Sequence, residues 1–129
     1  MEDDAWDQVL IKQFPKLLVD LSSMECGKGW KNLLVGMFMN VIRAESQLTD
    51  HPSYIPVRFV QIKEKFGGLR AYYEGGYFPD GITKPIASIV AQAETESMTT
   101  CDVCGSTITD PASLTTKRGW IHTACNNCR

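Results

Sequence analysis

The sequence predicts an α+β fold, about three helices packed on a β-hairpin, followed by a C-terminal zinc-ribbon-like module. Three observations predict it. Apolar residues recur every three or four positions in three segments, strand-like runs flank a Gly-Gly pair, and two Cys-x-x-Cys pairs lie twenty residues apart at the end of the chain. A length of 129 residues suffices for one moderate core plus a metal-held appendage. The expected division is an α+β body over residues 1–98 and a zinc-binding module over residues 99–129, rigidly coupled to it.

Trp6, Val9, Leu10 and Phe14, then Leu17, Leu18 and Leu21, follow a helical period, with an interruption or restart at Pro15, which lacks a backbone N–H. The acidic start, Glu2, Asp3, Asp4 and Asp7, suits the positive end of a helix dipole. Cys26-Gly27-Lys28-Gly29 breaks the pattern. Trp30, Leu33, Leu34, Met37, Phe38, Val41 and Ile42 then form the apolar stripe of a second helix that ends near Gln47.

Val57 to Lys65 and Leu69 to Glu74 read as two strands joined at Gly67-Gly68, because a tight hairpin turn needs positive φ. With Phe66 facing Leu69, one face collects Val60, Ile62, Phe66, Leu69, Ala71 and Tyr73 for the core. The other face collects Gln61, Lys63, Lys65, Arg70 and Tyr72, with Lys65 directly opposite Arg70. Thr83-Lys84-Pro85 starts a third helix that runs to about Met98, with Ile86, Ile89, Val90 and Ala93 inward, and leads straight into Cys101.

Cys101-Asp102-Val103-Cys104 and Cys125-Asn126-Asn127-Cys128 carry the clearest chemistry. A two-residue gap lets both sulfurs of a turn face one ion, and the long gap lets a hairpin return. Four soft thiolates in a tetrahedron saturate Zn²⁺ and leave no position for water or substrate, so one structural zinc is expected. His122 offers an alternative fourth ligand, since Cys101, Cys104, His122 and Cys125 also have a legal zinc spacing. Cys125 and Cys128 are preferred because they repeat the first pair, and Gly119-Trp120-Ile121-His122-Thr123 reads as a strand entering the second pair. Disulfides are the weaker expectation, because no leader-like segment precedes the first helix and a reducing cytoplasm is the default compartment.

Composition excludes some functions. With 43% hydrophobic and 22% charged residues the chain matches a folded protein, and no apolar run reaches the length of a membrane span. The formal charge of −2 is unfavourable for a nonspecific nucleic-acid binder, and thiolates around a dication lower it further. No carboxylate pair, nucleophile motif or phosphate-cradling loop stands out, so the expectation is a noncatalytic protein. The fifth thiol, Cys26, reads as buried and inert, and His51, before Pro52, has no partner that would make it catalytic.

Lys63, Lys65, Arg70 and Tyr72 are the candidate partner-binding residues. Opposed like charges on a ribbon destabilise it, and an acidic partner or a phosphate backbone relieves them, although exposed lysines also guard a ribbon against aggregation. In the nucleic-acid reading Lys63, Lys65, Arg70, Lys117 and Arg118 contact phosphates while Tyr72 or Trp120 stacks on a base.

The segments Gln61-Ile62-Lys63-Glu64-Lys65-Phe66-Gly67-Gly68-Leu69-Arg70 and Thr100-Cys101-Asp102-Val103-Cys104-Gly105, with Gly119-Trp120 and Thr123-Ala124-Cys125, resemble a family of small uncharacterised proteins encoded by tailed phages and by prophage regions of bacterial genomes. The resemblance extends to Cys26-Gly27-Lys28-Gly29-Trp30 and the helix before Cys101, so it covers most of the chain. In that family the position of Cys128 holds Cys or His, which supports the two-pair ligand set. The chain departs from the pattern at Ala71, where an aromatic is usual, and at Ala124, where Leu is usual. The resemblance implies an accessory protein in a bacterial host's cytoplasm that binds a host protein or protein complex and blocks it, a host-defence complex such as a CRISPR one being an instance.

Overall fold

The computed structural model describes residues 5–81, 84–108, 114–117, 120–125 and 127–128; at positions 84, 114–117 and 120–122 it describes the backbone alone. The acidic residues Glu2, Asp3 and Asp4, the helix start at Thr83, the cation Arg118 and Gly119 lie outside the described residues. So do the side chains of Lys117, Trp120 and His122.

The body contains three helices and an antiparallel hairpin: α1 (Trp6–Gln13), α2 (Lys31–Glu45), β1 (Arg58–Lys65), β2 (Gly68–Glu74) and α3 (Lys84–Ser97). A second ribbon, β3 (Leu114–Lys117) with β4 (Trp120–Thr123), lies between the two cysteine pairs. α2 packs on α3 and α3 packs on β2. Trp30, Leu34, Phe38, Phe59, Ile62, Leu69 and Ile86 are buried together in one core. Through it, Phe14 meets Phe38 at 5.2 Å, Phe38 meets Phe59 at 5.4 Å, and Phe59 meets Tyr73 at 6.1 Å between ring centroids.

The first helix is shorter than the periodicity suggests. It ends at Gln13, and residues 14–20 form turns held by Leu18 N–H to Phe14 O at 2.9 Å. Leu17 and Leu18 are buried all the same, and Leu17 O accepts the Phe59 N–H at 2.8 Å. Periodicity thus located the apolar face, while Pro15 stopped the helix. Val9 and Ile42 are exposed at the edges of their stripes.

The hairpin turns one residue earlier than the Gly-Gly pair suggests. Lys65 faces Gly68, so the turn is Phe66-Gly67, with φ of 55° and 82°. Ile62 pairs with Ala71, Lys63 with Arg70 and Glu64 with Leu69, so Lys63 and not Lys65 stands across from Arg70. A bulge between Phe59 and Gln61 then reverses the strand's parity. The inner face carries Phe59, Ile62, Leu69 and Ala71, while Val60 and Phe66, expected in the core, are exposed. The outer face keeps its predicted members, Gln61, Lys63, Lys65, Arg70 and Tyr72.

Both edges of this ribbon are occupied. Leu69 and Ala71 donate their outward N–H groups to Ser97 Oγ at 2.9 Å and Glu94 Oε2 at 3.0 Å on α3. On the other edge Glu25 N–H bonds Ile62 O and Glu64 N–H bonds Glu25 O, each at 2.9 Å. With its edges satisfied, the hairpin presents its outer face and its tip.

Glu45 is buried at the end of α2, where its carboxylate accepts bonds from the Tyr54 hydroxyl at 2.7 Å and the Val57 N–H at 2.8 Å. Burial, together with the Glu45 charge, raises the Tyr54 pKa well above its ordinary value. These bonds fix the loop that delivers the chain from α2 to β1.

Candidate metal centre

α3 ends beside the first cysteine pair, and the backbone there folds as a tight knuckle. Cys101 N–H bonds Ser106 O and Gly105 N–H bonds Cys101 O, each at 2.9 Å, with Gly105 at φ 83°. The N–H groups of Val103 and Cys104 both point at Cys101 Sγ, at 3.4 Å. β3 and β4 return the chain, and Cys128 N–H closes the second knuckle on Cys125 O at 3.0 Å.

The sulfurs of Cys101, Cys104, Cys125 and Cys128 all lie within 4.8 Å of one another, with Cys104 and Cys125 at 3.7 Å. A tetrahedral ion with metal–sulfur bonds of about 2.3 Å holds its sulfurs about 3.8 Å apart. A disulfide needs about 2.05 Å, and all four thiols are free. Four cysteines so placed can hold one metal ion. The donors are all soft, which suits a thiophilic ion and disfavours magnesium or calcium.

The thiols already differ in acidity. The Ser106 hydroxyl at 2.6 Å, with its backbone N–H, draws Cys104 down to about 6. Burial resists ionisation of Cys101, but the N–H groups aimed at its sulfur outweigh it and lower its pKa. Cys128 is held up at about 12, chiefly by its bond with Cys125. Gathered thiols cannot all ionise side by side, and a dication removes that restraint.

The segment Cys26-Gly27-Lys28-Gly29-Trp30, which spacing alone left as a helix breaker, is the seat of the first knuckle. Gly29 N–H bonds Asp102 O at 3.0 Å, and the Trp30 indole N–H bonds Thr100 O at 2.9 Å. A Cβ on Gly27 would stand 2.0 Å from Asp102 O, and one on Gly29 would stand 2.3 Å from Cys101 O. Only glycine permits that approach. The second half is tied in as well: Asp102 N–H bonds Thr123 O at 2.7 Å, and the buried Thr123 hydroxyl donates to Gly67 O in the hairpin turn. Two glycines around one residue before a tryptophan were the signal in the sequence, but it does not name the distant carbonyls.

Cys26 is half-buried against the core, and burial, followed by the charges of Asp102, Asp7 and Glu64, pushes its thiol up to about 12. A protonated thiol there is a poor nucleophile. The His51 ring bonds Ser53 Oγ at 2.8 Å and meets Phe78 edge-on at 5.0 Å, both within its own loop and the adjacent one.

The hairpin brings the four candidate partner-binding residues together. Lys63 Nζ lies 5.8 Å from the centroid of the Tyr72 ring, and Lys65 Nζ lies 5.7 Å from that of Phe66. Arg70 turns its guanidinium back to Leu69 O at 3.1 Å.

Among the described residues no helix is long and apolar enough to cross a membrane. No protein-family model matches the chain, and neither a curated protein nor a solved structure matches it.

Proposed function

We propose that this chain is a noncatalytic binding protein whose C-terminal module is held by one zinc ion on Cys101, Cys104, Cys125 and Cys128. The clustering of four thiols within 4.8 Å carries the reading. Zn²⁺ with four thiolates has no open position, so it shapes the module and activates no water. The module in turn braces the hairpin turn through Thr123 and Gly67, and the contact surface is the hairpin's outer face with Lys63, Lys65, Arg70 and Tyr72. The resemblance to phage and prophage proteins supports a host macromolecule as the partner, and blocking of a host or defence complex as the outcome.

A second reading is a nucleic-acid-binding or transcription-regulatory protein. The observation that favours it is the pairing of Lys63 with Tyr72 and Lys65 with Phe66 on an exposed ribbon.

Elemental analysis and X-ray absorption of protein purified without added metal test the centre: one zinc per chain with a four-sulfur shell is expected. A shell containing a water oxygen would refute the closed site. Zinc retained by Cys128→Ala and lost by His122→Ala would shift the fourth ligand to His122. Capture from bacterial lysate, with and without nuclease, tests the binding reading. Charge reversal at Lys63, Lys65 and Arg70 is expected to abolish capture at unchanged zinc content, and capture that survives it would remove the hairpin face as the contact surface.

A further inference from the structure

We infer that the hairpin tip is a site for single-stranded nucleic acid, with Phe66 as the stacking anchor and Tyr72 as a second platform. The inference rests on the binding reading above and names the partner's chemistry: unstacked bases on a phosphate backbone.

Phe66 carries the argument. It occupies the first of the turn's two left-handed positions, at φ 55°, where Asn or Gly is the residue that fits. Its side chain stands outside the apolar core, and the residue is 66% exposed. A bulky aromatic here strains the backbone and shows apolar surface to water, and among the described residues the apolar core does not cover it. A ring that meets a flat partner gives both a reason.

The neighbours of Phe66 fit that partner. Lys65 Nζ lies 5.7 Å from the Phe66 ring centroid and Lys63 Nζ lies 5.8 Å from that of Tyr72, which is 43% exposed. Lys63 also faces Arg70 across the ribbon, so an anion bound between them relieves a like-charge pair. Two aromatic faces, each with a cation beside it, are what a single strand uses, since its bases stack on rings while its phosphates run along cations. A duplex keeps its base faces in its own stack and offers this tip phosphates alone. The whole chain carries a formal charge of −2. Long-range attraction is therefore weak, and stacking dominates over charge. The bond from Thr123 to Gly67 O holds the turn from behind, so the tip meets its partner already in shape.

The test uses the zinc-loaded full chain and fluorescent oligothymidylate and oligouridylate of about ten nucleotides, with a duplex of the same length, from about 50 to about 200 mM salt. Both single strands are expected to bind, the tighter one identifying DNA or RNA as the source, and the duplex at least tenfold more weakly. Phe66→Asn is the decisive variant, because Asn-Gly is the preferred turn sequence and the fold should gain stability. It is expected to melt higher, keep its zinc and lose about tenfold in affinity. Neutralising Lys63, Lys65 and Arg70 to Gln should flatten the logarithmic salt slope by about 2. Equal binding of duplex and single strand, full affinity in Phe66→Asn, or no oligonucleotide binding overturns the inference. Capture from lysate that persists after nuclease, combined with no oligonucleotide binding, leaves the binding reading standing and assigns the face to an acidic protein surface.

Discussion

The body and the C-terminal module reach a fixed shape by different physics. The body buries Trp30, Phe38, Phe59 and a dozen or more further apolar side chains in one cluster. The described part of the module buries Cys101, Ile108 and Ala124, with Cys125 and Cys128 packed against them. Burial of a large side chain contributes about 1.5–3 kcal/mol, so the described part of the module gains far less from apolar burial than the body does. The module is tied to the body at its seat on Gly27, Gly29 and Trp30, and its four clustered thiols can hold a metal ion.

With zinc on the four thiols, as proposed, its removal should have the largest effect. Structural zinc contributes about 10 kcal/mol to the folding of small modules, so chelation, or Cys101→Ser, is expected to release residues 99–129 while the body stays folded. Hydrogen exchange measures both at once. Amides of the module should lose protection, and those of α2, β1 and β2 should keep theirs. Simultaneous loss in both regions would break the comparison, because the body would then need the module.

Next in size is the seat. Gly29→Ala places a methyl carbon 2.3 Å from Cys101 O and 2.5 Å from the Asp102 carbonyl carbon, both backbone atoms that cannot rotate aside. A loss of about 3 kcal/mol is expected, read in urea midpoints, together with weaker zinc retention against a competing chelator. Unchanged zinc affinity would mean that the module folds around its ion without docking on the body.

How much of this was legible follows the range of the interactions. Helices and cysteine pairs write themselves in short spacings, and the outer face of the hairpin keeps its predicted residues because alternation is local. The turn was misplaced because Gly67-Gly68 looks ideal in isolation, whereas the register is set by inward Ile62, Leu69 and Ala71 and by bonds from Leu69 and Ala71 to Ser97 and Glu94. The bulge at Val60 hid Phe59 as the core residue. The seat was illegible because the partners of Gly27 and Gly29 lie more than seventy residues further along the chain.

Cys26 sits at the seam between the two regions, beside Asp102 of the knuckle and Asp7 of α1. Its thiol is raised from 9.0 to about 12, so the folded protein binds that proton more tightly than the unfolded chain. The resulting stability is complete below pH 9 and disappears as pH rises from 9 towards 12. Cys26→Ala is expected to flatten this alkaline decline. At mild alkaline pH the folded state holds far less Cys26 thiolate than the unfolded state, so alkylation followed by mass spectrometry should label it much more slowly in folded than in unfolded protein. Rapid labelling in zinc-loaded protein would show that the seam opens readily.

The smallest effect isolates the body. Gly36 lies within α2, and a Cβ built there meets nothing within 4 Å, so neither close packing nor an unusual φ requires a glycine. The glycine leaves the helix backbone freer in the unfolded chain and adds no contact in the folded one. Gly36→Ala is expected to stabilise the body by about 0.5–1 kcal/mol, raising its melting temperature by a few degrees. Zinc affinity should not change, because the Lys28–Trp30 turn that seats the first knuckle precedes α2 and Gly36 lies nearly two helical turns beyond it. If zinc affinity rises with body stability, docking and metal binding are coupled, and the module draws on the apolar core after all.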